Sequence, residues 1–219
     1  MNQEHKKIFL KKGKEESVRR RHPWIFSGAI DRIDSAIKDG NFVDVLSQRG
    51  EFLGMGHYQS GSGIAVRFLS FVQIDEATLW RDKIRQAWVF RQKIGITDRA
   101  DTNVFRLIFG EGDGLSGLIV DFYDGVAVMQ AHSVGMYQSR TAIAAAIQEV
   151  LDRRLEAIYD KRKETLHGKA GEIKNEYILG EAADSKIVLE NGKHFLVNWV
   201  TGQKTGFFID QRENRSLVG

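Results

Sequence analysis

The residues best suited to bind a small ligand lie near the C-terminal end of the chain. Around the apolar run 207–209 lie eight hydrogen-bonding side chains, namely Gln203, Lys204, Thr205, Asp210, Gln211, Arg212, Asn214 and Arg215. Free backbone N–H groups and arginines at a loop-to-helix junction can hold a carboxylate, while a phenylalanine shelters an apolar group. The segment therefore suits a zwitterionic ligand. An ordinary helix capped by Asp210, with local Glu–Arg pairs, is the alternative, and spacing alone favours it.

Two glycine-containing segments resemble phosphate-binding loops only in part. Residues 112–117 match G-x-G-x-x-G, but the run 118–122 that follows is typical of a strand, and a dinucleotide loop must open a helix. Glu111 and Asp113 would also repel phosphate. Residues 202–205 lack the glycine that precedes the lysine of a P-loop. The first segment is therefore predicted to be a tight turn, and the second is not a P-loop.

Residues for metal binding or nucleophilic catalysis are not grouped in this sequence. The six histidines, none of them at H-x-H or H-x-x-x-H spacing, are His5, His22, His57, His132, His167 and His194. Without cysteine there is no thiolate nucleophile, disulfide or cysteine-ligated zinc within these residues. A G-x-S-x-G elbow and a suggestive carboxylate pair are also missing. We therefore assign no catalytic residue and no metal site.

Positive charge is concentrated at the N-terminal end. Residues 1–24 carry eight basic and three acidic side chains, a net charge of +5, on a chain whose total is +3. Clustered cations displace condensed counterions from nucleic acid, so the segment resembles a phosphate-binding footprint. A solvated charged terminus is an equally good interpretation of the charge alone.

The first 72 residues are predicted to form a small β-barrel. Short alternating runs at 42–46, 51–58 and 64–69 are separated by turn residues, and strands this short at this spacing are typical of barrels. Pro23 should end a short basic helix and begin an extended segment.

A change of period at Asp75 predicts a second unit. Trp80, Ile84, Ala87 and Trp88 recur at helical spacing, with Asp75 as N-cap and Gly95 at the end of the run. Three strands (104–109, 118–123 and 126–131), a helix (137–154), a short strand (157–160) and a charged solvated loop (161–176) should follow. Asp-Gly at 124–125 and Asn-Gly at 191–192 each predict a hairpin, the second joining strands 186–190 and 193–199.

The length of 219 residues fits one large or two small domains. An apolar run of the roughly 20 residues that a membrane span needs does not occur, and the N-terminus lacks the apolar stretch of a secretory signal. Together with the missing cysteines, these features predict a cytoplasmic protein that does not enter a membrane.

Three blocks of sequence, in order, resemble one family. Residues 204–215, read as Lys-Thr-Gly-Phe-Phe-Ile-Asp-Gln-Arg-Glu-Asn-Arg, closely resemble the segment that opens the methyltransferase domain of bacterial S-adenosylmethionine-dependent ribosomal RNA methyltransferases of the large-subunit cytosine-C5 type. Residues 12–30 look like that family's N-terminal PUA domain, an RNA-binding pseudobarrel. Residues 111–121 look like its central α+β domain.

The resemblance implies an α+β chain with a PUA-like barrel at 1–72, a small α+β domain of β-β-α-β-β type at 73–182, and the start of a Rossmann-like methyltransferase domain at 183–219. The implied cofactor is S-adenosylmethionine, and its implied contacts are Lys204, Thr205, Gly206, Phe207, Phe208, Gln211 and Arg212. The implied partner is large-subunit ribosomal RNA, held by Lys11, Lys12, Lys14, Arg19, Arg20 and Arg21. Trp24 and Phe26 could stack on a base, although a place in the barrel core is favoured for both.

Parts of the family's machinery do not occur in these residues. Its glycine-rich cofactor loop follows the Asp-Gln-Arg segment, and its C5 chemistry uses a cysteine thiolate. We therefore expect the chain to be the N-terminal portion of such an enzyme, cut short in the first turns of a helix and inactive alone. The alternative is a non-catalytic RNA-binding module. The sequence leaves the oligomeric state open, a homodimer included.

Overall fold

Two separate sheets and a hairpin form the framework of the protein. The computed structural model describes residues 5–161 and 174–218. These contain a six-stranded sheet, a five-stranded sheet with helices, and a two-stranded hairpin, so the fold is α+β as predicted. Most of the charged loop predicted at 161–176 lies outside the described residues.

The six-stranded sheet is built from the N-terminal 70 residues. Its strands are β1 (Lys6–Leu10), β2 (Trp24–Phe26), β3 (Ile30–Ile33), β4 (Phe42–Leu46), β5 (Phe52–Tyr58) and β6 (Ile64–Ser70). Their spatial order is β2-β6-β5-β4-β1-β3, with β1 and β4 parallel. Because β2 and β3 are free edges that do not pair with each other, the sheet is a half-barrel rather than the closed barrel expected. The short helix α1 (Glu15–Arg19) precedes Pro23, as predicted.

Two strands of this sheet were not predicted. In β1, Ile8 and Leu10 are fully buried, whereas Phe9 between them is half-buried and Lys6 is exposed, so the strand alternates despite its two lysines. The strand β3 has the sequence Ile-Asp-Arg-Ile, which does not alternate between apolar and polar residues, and most of it is exposed. Gly56 lets β5 approach β6 closely, since a Cβ there would lie 2.0 Å from the carbonyl oxygen of Arg67.

The helix predicted after Asp75 is confirmed. It is α2 (Glu76–Lys93), and the Asp75 carboxylate accepts a hydrogen bond from the Ala77 N–H at 2.9 Å. Leu79, Ile84 and Ala87 are buried on one face. The chain leaves the helix through Gly95, whose φ of +71° an L side chain rarely adopts.

The five-stranded sheet packs against α2 and a second long helix. Its strands are β7 (Val104–Phe109), β8 (Leu118–Tyr123), β9 (Val126–Ala131), β10 (Ala157–Asp160) and β11 (Glu176–Leu179), in the order β11-β10-β9-β8-β7. Asp124 and Gly125 form the β8–β9 turn with φ of 45° and 97°, as the Asp-Gly signal predicts. The strand β10 runs parallel to β9.

The single helix predicted at 137–154 is instead two helices. The structure has α3 (Val134–Gln138) and α4 (Arg140–Leu151), separated at Ser139, with a 3₁₀ turn at Asp152–Arg154. The prediction missed the start because the helix begins with a polar cap and not with apolar periodicity. The Ser133 hydroxyl accepts a hydrogen bond from the Met136 N–H at 3.3 Å.

The C-terminal hairpin covers the face of the five-stranded sheet opposite the helices. It consists of β12 (Ser185–Glu190) and β13 (Lys193–Asn198), in agreement with the Asn-Gly signal, and helix α5 (Arg212–Val218) follows. Val188, Val197 and Trp199 pack against Val104 and Tyr123 of the sheet. The five-stranded sheet is therefore buried on both faces.

His57 lies where the two sheets meet. It is only 3% exposed, with its ring centroid 4.5 Å from that of Phe42 and 5.9 Å from that of Trp80. A Cβ at Gly135 of α3 would lie 2.2 Å from the His57 ring, so only glycine fits there. Burial, together with the charge of Arg67, lowers the pKa of His57 to about 3. The interface is therefore built around a neutral imidazole.

The protein should lose stability on mild acidification because of His57. The pKa of histidine is 6.5 in the unfolded chain and about 3 at His57 in the folded protein. Between these two pH values the unfolded chain binds a proton at residue 57 and the folded protein does not. The free energy of unfolding should thus fall with pH in this window, by at most about 1.4 kcal/mol per pH unit from this group. Urea unfolding at pH 7 and pH 5 measures the change.

The matched variants are His57→Gln and His194→Gln, the second at an exposed histidine. His57→Gln should reduce the loss between the two pH values, whereas His194→Gln should retain it. An identical pH dependence in all three proteins would contradict the assignment to His57.

Candidate functional site

The segment predicted to bind a ligand folds as a tight loop at the end of β13. Gly202 lies against that strand, since a Cβ there would be 2.2 Å from the Asn198 carbonyl oxygen. Gly206 has a φ of +118° and also faces the Asn198 carbonyl. Lys204, between them, has a φ of +53°, which is uncommon for a residue with a side chain. The loop therefore has one defined shape.

Thr205 is held inside the protein. It is 1% exposed, and its hydroxyl donates to Oδ2 of Asp121 at 2.6 Å and lies 2.9 Å from the Tyr123 hydroxyl. Asp121 is fully buried and accepts two further hydrogen bonds from Arg106, at 2.8 and 3.0 Å. Burial lowers the pKa of Arg106, but the hydrogen bonds and charge of Asp121 outweigh this and raise it above its usual value. Thr205 thus fixes the loop to the sheet.

Arg212 is also occupied within the fold. Its guanidinium donates to the Val104 carbonyl oxygen at 2.5 Å and to Oε2 of Glu190 at 3.4 Å. Glu190 is 2% exposed and accepts two shorter hydrogen bonds from Arg215, at 2.7 and 2.8 Å. These contacts attach the start of α5 to the hairpin and to β7.

The two phenylalanines of the segment face different surroundings. Phe207 packs against Phe195, with ring centroids 5.3 Å apart, and the Arg215 guanidinium lies 4.1 Å from its ring. Phe208 is 38% exposed, and the Lys204 ammonium lies 5.0 Å from its ring centroid. Of the seven residues predicted to contact a cofactor, three therefore lie at the surface, namely Lys204, Phe208 and Gln211.

Asp210 is not the residue that precedes the helix. It lies inside a 3₁₀ turn at Ile209–Gln211, and α5 begins at Arg212. Its carboxylate instead accepts a hydrogen bond from the Gln211 side chain at 3.2 Å. That bond, together with the charges of Lys204 and Arg106, lowers the pKa of Asp210. A cap at Asp210 would start the helix at Gln211, so the 3₁₀ turn delays the helix start by one residue.

Asp121, Arg106 and Tyr123 belong to this site, and the sequence interpretation missed all three. The available signal was a pair of charged residues within otherwise apolar strands. Arg106 and Asp121 lie directly opposite each other on β7 and β8. A buried charge in a strand needs a partner, so such a pair marks a structural link.

The six predicted RNA contacts are all exposed around α1. They are Lys11, Lys12, Lys14, Arg19, Arg20 and Arg21. Three have weak local partners: the Lys11 ammonium donates to the Gly28 carbonyl oxygen at 3.0 Å, Arg19 pairs with Glu51 at 2.7 Å, and Arg21 lies over the Phe71 ring. Among the described residues, the side chains of the other three have no hydrogen-bond or ion-pair partner.

Trp24 and Phe26 are not in the core of the half-barrel, contrary to the expectation. The strand β2 alternates, and Ile25 points inward at 1% exposure, so its two neighbours point outward. Phe26 is 51% exposed, and Trp24 is half-buried. The rings of Trp24, Phe26 and His22 lie 5.9 to 6.3 Å from one another. Together with Lys14 and Ser17 they line a groove of about 440 Å³.

Trp24 is anchored by the glycine-rich segment of the second unit. Its Nε1–H lies 3.0 Å from both Oε1 of Glu111 and Oγ of Ser116, and the Ser116 hydroxyl donates to Glu111 at 2.6 Å. Gly114 and Gly117 have φ of 66° and 87°, so the segment is a tight turn, as predicted. Arg91 of α2 holds this turn through a buried bidentate pair with Asp113.

Neither a metal site nor a membrane-spanning helix is found in the part of the chain that the structure describes. Among residues 5–161 and 174–218, no three histidine, aspartate or glutamate side chains are placed to hold a metal ion. Within the same ranges, none of the helices is long and apolar enough to cross a bilayer.

Replacing Thr205 should weaken the link between the loop and the sheet. Thr205→Val keeps the volume but removes the hydroxyl, which leaves Asp121 with one donor fewer in a buried site. We expect the free energy of unfolding to fall by about 1–3 kcal/mol in urea denaturation. Thr201→Val, at an exposed threonine in the same loop, is the control and should change little. Equal effects of the two substitutions would contradict this role of Thr205.

The half-barrel and the C-terminal loop both lie in regions that match known proteins. A family model described as a PUA-like domain matches residues 8–71. A relative named ribosomal RNA large subunit methyltransferase I, from Klebsiella pneumoniae subsp. pneumoniae, is 35% identical over 214 residues, which are 95% of this chain and 52% of the relative.

Two solved structures share the fold. One, from Streptococcus mutans and named as a candidate SAM-dependent methyltransferase, has a TM-score of 0.80 at 21% identity and matches 97% of this chain and 53% of that one. Another, a candidate methyltransferase complexed with SAH, has a TM-score of 0.78 at 22% identity, over 95% of this chain and 52% of that one. The chain thus contains a PUA-like domain, is homologous to proteins named ribosomal RNA large subunit methyltransferase I, and spans about half the length of the curated relatives it matches.

Proposed function

We propose that this chain is the N-terminal, RNA-binding portion of an S-adenosylmethionine-dependent ribosomal RNA methyltransferase. In this proposal residues 1–72 form the PUA-like RNA-binding domain, 73–182 the central α+β domain and 183–219 the opening segment of a Rossmann-like methyltransferase domain. The observation that carries it is an exposed basic face on a PUA-like domain, in a chain homologous over 95% of its length to rRNA methyltransferases.

The basic face supports RNA binding through its unpaired charges. Among the described residues, Lys12, Lys14 and Arg20 have no partner, so they can contact phosphates without first breaking an internal ion pair. Arg19 is paired with Glu51, but both side chains are more than half exposed, and such pairs contribute little. The names of the relatives favour large-subunit ribosomal RNA as the target.

The loop at 204–212 is proposed as one wall of the cofactor site. S-adenosylmethionine supplies the methyl group and carries a carboxylate, an ammonium group and an adenosine. The exposed Lys204 ammonium and Asp210 carboxylate complement the zwitterion, and the exposed Phe208 ring and Gln211 amide offer apolar and hydrogen-bonding surface. Thr205, Gly206, Phe207 and Arg212 would shape this wall from beneath. The residues present therefore fit one side of such a ligand.

The proposal includes the atom that is methylated, which is C5 of a cytosine. The family resemblance of residues 204–215 supports it. Because these 219 residues contain no cysteine, a thiolate nucleophile would have to come from elsewhere in the protein. Cytoplasmic localisation and a homodimer stay predictions from the sequence.

RNA affinity should depend on the cluster at 19–21. Changing Arg19, Arg20 and Arg21 to alanine removes three cations from the basic face, so we expect roughly tenfold weaker binding of a ribosomal RNA fragment and a shallower salt dependence. Fluorescence anisotropy between about 50 and 200 mM salt measures both. The control removes the same charge elsewhere, at Lys93, Arg153 and Arg154. If the two triple variants bind alike, the footprint assigned to the basic face is wrong.

S-adenosylmethionine should bind this chain weakly or not at all, because the proposal places only one wall of the pocket in these residues. Calorimetric titration of the cofactor is expected to give little or no heat. Strong heat with one-to-one stoichiometry would contradict the incomplete pocket. A non-catalytic RNA-binding module predicts the same result, so the reading frame beyond Gly219 separates the two. A downstream strand and glycine-rich loop favour the enzyme, and a stop codon favours the module.

A further inference from the structure

We propose that the groove between α1 and β2 binds an unpaired nucleobase, stacked on Trp24 and Phe26. The proposal rests on the RNA-binding function above and adds a preference for single-stranded RNA. It starts from an observation that the fold does not explain: two large aromatic rings face outward beside a basic helix. A half-barrel needs only Ile25 of this strand for its core.

The geometry of Trp24 leaves its ring face as the group available to a ligand. An indole has one polar hydrogen, and here Glu111 and Ser116 already bind it. The backbone N–H of Trp24 also donates to Nδ1 of His22 at 3.2 Å. The ring is thereby fixed before any ligand arrives, which reduces the entropy lost on binding. Trp24 is thus suited to stacking and not to hydrogen bonding with a partner.

Phe26 has no polar group to explain its exposure. It lies on an edge strand, 51% exposed, with its ring centroid 6.3 Å from that of Trp24 at an interplanar angle of 86°. One ring can therefore stack on a flat ligand while the other contacts its edge. The groove of about 440 Å³ lies within the size range of small-ligand sites.

Charge around the groove identifies the occupant as a nucleotide of a longer strand. Lys14 lines the groove, and the Lys11 ammonium is bound to the carbonyl of Gly28, another lining residue. Cations beside exposed aromatic rings are the combination that binds single strands, because phosphates pair with the cations while bases stack. In an A-form duplex the base faces are covered by their neighbours, so a duplex cannot use this groove.

Intrinsic fluorescence tests the stacking directly. Of the four tryptophans, Trp80, Trp88 and Trp199 are 5%, 9% and 0% exposed, so Trp24 is the one that a ligand can reach. We expect a single-stranded oligoadenylate to quench this fluorescence with the same midpoint as binding followed by anisotropy. In Trp24→Phe the quench should be lost. A strand of equal length with abasic sites should bind more weakly and quench little.

Phe26→Ala has a well-matched control. Phe90 on α2 is 53% exposed, so Phe90→Ala removes an equally exposed ring on the other unit. Phe26→Ala should bind the oligoadenylate roughly tenfold more weakly, whereas Phe90→Ala should bind like the parent. Thermal unfolding of both variants checks that the fold is kept.

The outcomes separate this proposal from the proposed function. RNA binding without quenching, with Phe26→Ala equal to Phe90→Ala, or with a duplex bound as tightly as the single strand, would overturn the nucleobase site and leave RNA binding intact. If neither single-stranded nor duplex RNA bound at low salt, the proposed function itself would fail.

Discussion

The buried carboxylate of Asp121 is the interaction on which the C-terminal part of the molecule depends. A charge taken fully out of water costs several kcal/mol unless it is paired and hydrogen-bonded. Arg106 supplies the opposite charge through two hydrogen bonds, and Thr205 supplies a third donor. Because Thr205 lies in the loop that follows β13, the loop has to close over Asp121 for the carboxylate to be satisfied. The position of the proposed cofactor wall is therefore set by the needs of one carboxylate in the sheet beneath it.

Buried contacts likewise connect the face proposed to bind RNA to the rest of the protein. The Arg91–Asp113 pair is buried between α2 and the glycine-rich turn, and Asp113 also accepts a hydrogen bond from the Phe109 N–H at 2.6 Å. That turn presents Glu111 and Ser116 to Trp24, on the neighbouring sheet. The orientation of the aromatic groove is thus determined by helix α2, which belongs to a different unit. Contacts of this kind connect the groove in one unit to the packing of the other.

Local signals in the sequence predicted most of the secondary structure. Asp75 as a helix cap, the Asp-Gly turn at 124–125 and the Asn-Gly turn at 191–192 each act within a few residues, and all three are confirmed. Local sequence signals did not predict the structure of residues whose contacts lie far away along the chain. The strand β1 forms by pairing with β3 and β4, 20 or more positions along the chain, and Thr205 donates a hydrogen bond to a carboxylate 84 positions away. The outward position of Trp24 likewise depends on Glu111, 87 positions along the chain. Such pairings have no signature in a single sequence, and the cofactor contacts that the family resemblance implies at residues 204–212 stay a prediction.

The pairing of the strands also suggests the order in which the two sheets fold while the protein is being synthesised. Every strand of the half-barrel finds its hydrogen-bonding partners within residues 6–70. Since chains leave the ribosome N-terminus first and domains generally fold as units, we expect the half-barrel to form while the second sheet is still being made. Glu111 then emerges and fastens Trp24, whereas Thr205 emerges last, when the Arg106–Asp121 pair is already in place. The growing chain would thus hold the face proposed to bind RNA in its final form before the loop proposed to bind the cofactor has been translated.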